Sequence, residues 1–125
     1  MDATMPLADQ RVLVVEDEYY LAADTAEALQ RAGATVLGPF ASEQGALDKI
    51  KSEAPTIALL DINLGRGPSF DIARVLKQRG IPLVFITGYN EEIIPSEFEY
   101  APRLQKPVDA RQILNLLARA LKLQN

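Results

Sequence analysis

Five short apolar runs, Arg11–Glu16, Ala34–Gly38, Ile57–Asp61, Pro82–Ile86 and a weak Arg103–Gln105, alternate with stretches whose apolar residues recur at helical spacing. That alternation constrains the fold more than any other feature. Strands separated by helices of roughly ten to fifteen residues indicate βαβ units and a parallel sheet. Tyr19–Ala32 carries Leu21, Ala22, Ala26 and Leu29 on one stripe, and Gly33 is a natural stop. Ser42–Ala54, with Ser42 as N-cap, presents Ala46, Leu47 and Ile50. Ser69–Arg79 presents Ile72, Ala73, Val75 and Leu76, and Asp109–Leu123 presents Ile113, Leu116, Leu117, Ala120 and Leu121. The connector Glu91–Tyr100 is broken by Pro95, so the sequence predicts at most a short or mobile helix there.

The three central runs are nearly continuous in apolar character, as expected of strands covered by helices on both faces. Right-handed crossovers then favour an α/β fold with a doubly wound, five-stranded parallel sheet of order 2-1-3-4-5, flavodoxin-like in topology. At 125 residues the chain suits one domain, expected over residues 11–123, with residues 1–10 as a flexible tail.

Composition narrows the chemistry. The chain has no cysteine and no histidine, which removes disulfides, thiolate metal sites and the commonest general base. A formal charge of −4 leaves no basic footprint for nucleic acid. No stretch has signal-peptide or membrane-span character, and a soluble cytoplasmic protein is the expectation.

In such a sheet the functional crevice lies beyond the carboxyl ends of the strands, at the switch point between strands 1 and 3. Strand 1 ends in Glu16-Asp17, strand 3 in Asp61, strand 4 in Thr87, and strand 5 is followed by Lys106-Pro107. Taken singly each has an ordinary explanation: Asp17 as a helix cap, Thr87 before Gly88 as a turn, Lys106 as a surface lysine. Taken together they form one site. Two carboxylates about 4 Å apart repel by ~4 kcal/mol at an effective dielectric of 20. Converging carboxylates therefore invite a proton or a cation, and an incomplete set of hard oxygen ligands favours Mg²⁺.

These residues, in this order and at these element ends, resemble the receiver domains of two-component signalling, the chemotaxis-regulator type, from about Arg11 to Leu123. "VFITGYN", "LLDINL" and the Gly-Pro-Phe of Gly38–Phe40 look more narrowly like alphaproteobacterial stand-alone receivers with a Phe-x-Thr-Gly signature. The resemblance implies Asp61 as phosphoacceptor. It implies Mg²⁺ held by Asp17, Asp61 and the backbone carbonyl of Asn63, with Glu16 orienting a metal-bound water. Thr87 and Lys106 would each hold a phosphoryl oxygen, with the amide of Ile62 as a further contact, and the Lys106–Pro107 peptide is expected to be cis.

Two departures stand out. Arg103 occupies the position where receivers carry an aromatic coupled to the threonine, leaving Tyr89 or Tyr100 as possible substitutes, and Gly65 stands where a proline is common. With the interrupted fourth connector, this suggests that phosphorylation orders the segment 88–102. The implied function is a stand-alone response regulator, loaded by a sensor histidine kinase or phosphotransfer protein and signalling through protein contacts. It would catalyse only its own Mg²⁺-dependent phosphorylation and dephosphorylation. Partners are then a kinase or phosphotransfer protein and an unidentified output protein, with no nucleic acid or membrane, and the chain a monomer or weak homodimer. With no output domain expected beyond Asn125, Tyr19, Tyr20, Ile93, Ile94, Phe98 and Tyr100 are the expected contact surface, unless the chain serves as a relay or phosphate sink. The competing functions are a phosphate-independent docking pseudo-receiver and a Mg²⁺-dependent aspartyl-phosphate phosphohydrolase.

Overall fold

In the computed structural model, residues 5–62, 70–88 and 94–123 are described. The elements run β1 (Arg11–Val15), α1 (Tyr19–Arg31), β2 (Thr35–Phe40), α2 (Glu43–Ser52), β3 (Ile57–Asp61), α3 (Asp71–Gln78) and β4 (Leu83–Thr87). A 3-10 turn (Ser96–Phe98), β5 (Arg103–Gln105) and α4 (Ala110–Leu123) complete the chain. The strands form one sheet in the order β2-β1-β3-β4-β5, every pair parallel. This is the topology expected from the alternating pattern.

Strand period two divides the core. Leu13, Val15, Ala58, Leu60, Leu83 and Phe85 face α2 and α3, meeting Ala46, Ile50, Ile72 and Leu76. Val12, Val14, Ile57, Leu59, Val84 and Ile86 face α1 and α4, meeting Leu29, Ile113, Leu117 and Ala120. Because both faces are covered, β3 and β4 are buried at every position. Gly33 (φ +97°) ends α1. Asp109 and Gln112 exchange side-chain-to-backbone hydrogen bonds of 2.9 Å in both directions, a capping box that starts α4. Ser42 stands at the N-cap of α2 as expected, but its side chain makes no capping hydrogen bond. Among the described residues no helix is long and apolar enough to cross a membrane.

β2 runs two residues past its apolar run because of a local irregularity. Leu13 pairs with Leu37, yet Val15 pairs with Phe40, so β2 carries an extra residue where the register shifts. Gly38 makes this possible: its φ is +106°, and a Cβ there would lie 2.8 Å from the carbonyl oxygen of Val14. The Gly38–Pro39 peptide is cis, a feature the sequence reading did not anticipate.

Two expectations need correction. Residues 1–10 are not all tail: Leu7 is fully buried in the α1–α4 core, and its N–H donates to the carbonyl of Ala32 at 2.9 Å. One apolar side chain with a cavity to fill is enough to bring residues 5–10 into the domain. The fourth connector is also more packed than expected. Phe98 and Ile94, taken as exposed, are buried, and Phe98 lies 5.7 Å from Phe85 and 5.9 Å from Phe70 by ring centroids. Arg74 and Lys77 of α3 both reach Glu97. The ordering expected over 88–102 therefore cannot apply to 94–102, which is already packed, and residues 89–93, with Tyr89 and Ile93, lie outside the described set. Tyr19, Tyr20 and Tyr100 are exposed, as expected.

The packed N-terminal segment is open to a direct check. Leu7→Ala is expected to lower the unfolding free energy by about 2–5 kcal/mol, the usual cost of emptying a buried leucine site. A change below about 0.5 kcal/mol in chemical denaturation, the scale of surface substitutions, would restore the tail.

Candidate functional site

The carboxyl edge of the sheet gathers the charged residues that the sequence placed there. β1 stops at Val15 because the chain turns acidic, and the N–H of Glu16 is taken by the carbonyl of Phe40 at 2.9 Å, beside the β2 irregularity. The Glu16 side chain then folds back and accepts the N–H of Glu18 at 3.0 Å. Glu16 and Asp61 are buried polar residues, whereas Asp17 is exposed. One carboxylate oxygen from each of Glu16, Asp17 and Asp61 lies within 4.8 Å of the other two. Asp61 follows four fully buried apolar positions of β3 and pairs in register with Ile86 of β4.

Lys106 crosses from the end of β5 to join them. Its Nζ donates to Asp61 Oδ2 at 2.9 Å, to Glu16 Oε2 at 3.2 Å and to Glu18 Oε2 at 3.2 Å. Its own N–H donates to the carbonyl of Thr87 at 2.7 Å, which ties β5 to the end of β4. The Lys106–Pro107 peptide is cis, as the resemblance implied. Thr87 is fully buried, and among the described residues its hydroxyl has no hydrogen-bond partner. A buried hydroxyl left so costs about 1–3 kcal/mol, and such exceptions call for a functional or solvent explanation.

Other expectations fare differently. Asn63 lies outside the described residues. The amide of Ile62 is already donated to the carbonyl of Ile86 at 3.2 Å, within the β3–β4 pairing, so it is not free for a further ligand. Asp17 does not cap α1; Glu18 is the N-cap residue, without a side-chain capping bond. Arg103 does not mimic an aromatic: it is half-buried, and its guanidinium donates to the carbonyls of Phe98 (2.9 Å), Ala101 (3.0 Å) and Glu99 (3.4 Å). It acts as a strut between β5 and the 3-10 turn. Tyr100 is exposed, with its ring 5.9 Å from Lys77 Nζ. Glu18 is the site residue that sequence reasoning left without a role, although its signal was plain as the third consecutive acid after β1.

Burial and the hydrogen bond to Asp61 push the Glu16 carboxyl up to about 7, against the opposing pull of the Glu18 N–H and Lys106. Burial works against the charge on Lys106, yet the hydrogen bond and charge of Asp61, aided by Glu16 and Glu18, raise its pKa above the ordinary lysine value. Among the described residues, the site thus gathers several carboxylates around one ammonium.

The response regulator receiver domain profile matches residues 12–118. The chain belongs to the response regulator receiver family. PhyR, the phyllosphere-induced regulator of Methylorubrum extorquens, is 32% identical over 118 residues, which is 90% of this chain and 44% of that protein. The structure of the response regulator PhyR from Brucella abortus is 27% identical with a TM-score of 0.78, over 98% of this chain and 53% of that one. SdrG from Sphingomonas melonis Fr1 is 28% identical with a TM-score of 0.65, over 93% of this chain and 98% of that one. This receiver spans about half the length of the curated relatives it matches.

Receivers generally bind Mg²⁺ at an acidic cluster, and the residues present fit such an ion. The donors are hard carboxylate oxygens, converging and too few to close a coordination shell, so water and phosphate oxygens have room.

Without metal, the raised pKa of Glu16 makes stability depend on pH in a definite direction. The folded state holds the Glu16 proton more tightly than the unfolded chain, whose carboxyl titrates near 4.5. This contribution is therefore complete below pH 4.5 and is lost as pH rises through about 7. In chelator, the stability of Glu16→Gln relative to the native chain is expected to increase across that window. A pH-independent difference in denaturant midpoint would contradict the assignment.

Proposed function

We propose that this receiver is a phosphorylation-controlled signalling domain in which Asp61 is the phosphoacceptor. The observation that carries the reading is Asp61 itself: a buried carboxylate at the sheet's carboxyl edge, 2.9 Å from the Lys106 ammonium and clustered with Glu16 and Asp17. Phosphoryl transfer asks little covalent chemistry of a protein; alignment and charge compensation are most of the work.

In this reading an Asp61 carboxylate oxygen attacks phosphorus in line. The new O–P bond forms as the P–N bond of a phosphohistidine on a sensor histidine kinase or phosphotransfer protein breaks, and the departing imidazole nitrogen picks up a proton. An ionised carboxylate needs no general base, which suits a chain without histidine. Lys106 pairs with one peripheral oxygen of the phosphoryl group. Thr87 supplies the hydroxyl for another, a role that would satisfy the donor buried without a partner. Asp17, Asp61 and the carbonyl of Asn63 would hold Mg²⁺, with Glu16 oriented toward a water of its shell. The bound ion supplies charge neutralisation for the phosphoryl oxygens.

Signal output in this reading passes through protein contacts. The absence of an aromatic at Arg103 separates this receiver from the usual threonine–aromatic coupling. The strut from Arg103 to residues 98–101 instead keeps the 3-10 turn fixed to β5.

Incubation with Mg²⁺ and a small-molecule phosphodonor is expected to add the mass of one phosphoryl group, lost with chelator and in Asp61→Asn. Lys106→Ala is expected to slow labelling on the order of 10²-fold, as for removal of a preorganised donor aimed at developing charge. Labelling that persists in Asp61→Asn, measured by intact-protein mass spectrometry, contradicts the proposal.

A further inference from the structure

The Lys106 ammonium has three N–H donors, and three acceptors surround it: Asp61 Oδ2 at 2.9 Å, Glu16 Oε2 at 3.2 Å and Glu18 Oε2 at 3.2 Å. Its hydrogen-bonding capacity is therefore spent on carboxylates. An incoming phosphoryl oxygen can take a bond from Lys106 only if one of these partners gives way.

The three are not equally able to do so. The side chains of Asp61 and Glu16 are 1% and 5% exposed, so in the metal-free resting site water cannot readily take the place of Lys106 there. The Glu18 side chain is 59% exposed, so water replaces Lys106 there at little cost. Glu18 also makes no side-chain capping bond to α1; among the described residues its side chain is bonded to Lys106. It lies outside the group of acids that approach one another closely enough to share a cation.

We propose that Glu18 is a positioning residue that holds the third donor of Lys106 in the resting site and competes for it with the phosphoryl group. This rests on Asp61 being the phosphoacceptor. Loading then includes an exchange: the Lys106–Glu18 bond opens to solvent and a phosphoryl oxygen takes its place. Glu18 in this way sets how readily the site accepts and retains phosphoryl, without touching the reacting atoms. Removal of this exposed pair is expected to tighten occupancy by about two- to fivefold, equivalent to about 0.4–1 kcal/mol and within the range of surface ion pairs.

The test is the affinity for beryllium fluoride, a phosphoryl mimic, in the presence of Mg²⁺, followed by ¹⁹F NMR. Glu18→Ala removes both charge and contact; Glu18→Asp keeps the charge but shortens the reach by one methylene. Both are expected to bind the mimic about two- to fivefold more tightly than the native chain, and Glu18→Ala is expected to add nothing in a Lys106→Met background. No gain in Glu18→Ala overturns the proposal. So does a gain in Glu18→Ala with none in Glu18→Asp, which would mean simple charge repulsion, or a gain that persists without Lys106. If Lys106→Met binds too weakly to measure, the Asp variant decides alone. Failure of the underlying reading looks different: the native chain would not bind the mimic, or would bind it no better than Asp61→Asn.

Discussion

Charge confined at one end of the sheet is the constraint on which the rest depends. Parallel strands all deliver their carboxyl ends to the same edge, and here β1 and β3 deliver carboxylates that an apolar core then half-encloses. Among the described residues, the Lys106 ammonium from beyond β5 reaches Glu16, Glu18 and Asp61, so several carboxylates share one cation. Much of the local architecture serves that arrangement. The extra residue in β2 brings the Phe40 carbonyl to the Glu16 N–H, and the Thr87 carbonyl anchors the backbone of Lys106. In the proposed function, divalent-cation affinity and the phosphoacceptor role of Asp61 both draw on this crowding of carboxylates.

The remainder of the domain insulates this edge. Two apolar layers fix β1, β3 and β4 so that the terminal side chains have little freedom to separate. Where other receivers place an aromatic near the end of β5, this chain places an arginine whose guanidinium takes up the carbonyls of the preceding turn. The turn is held from its other side by Arg74 and Lys77 through Glu97, and from beneath by Phe98. That region is a brace.

The architecture was legible because strand and helix periodicities alternate cleanly, and five units with right-handed crossovers suit the order 2-1-3-4-5. The site was legible for a related reason: a parallel sheet turns sequence position at strand ends into spatial proximity, so Asp17, Asp61 and Lys106 needed no further information to be grouped. What escaped was decided by packing. Nothing in "MPLADQ" shows that Leu7 joins the core shared with α1 and α4, and the acids around Ile94 and Phe98 concealed two core residues in a connector interrupted by proline. The role of Glu18 was hidden because a third acid in a row reads as helix start; only the reach of Lys106, a long side chain from the far edge, gives it a partner.

The central claim, that the ends of β1 and β3 form one divalent-cation site, is tested most directly by titrating the metal-free chain with Mg²⁺ and following backbone amide shifts. The account predicts saturable changes concentrated at Glu16, Asp17, Asp61 and Ile62, abolished together in Asp17→Asn. Shifts that fail to saturate, or that spread evenly over acidic surface residues such as Asp24, Asp48 and Glu97, would contradict it.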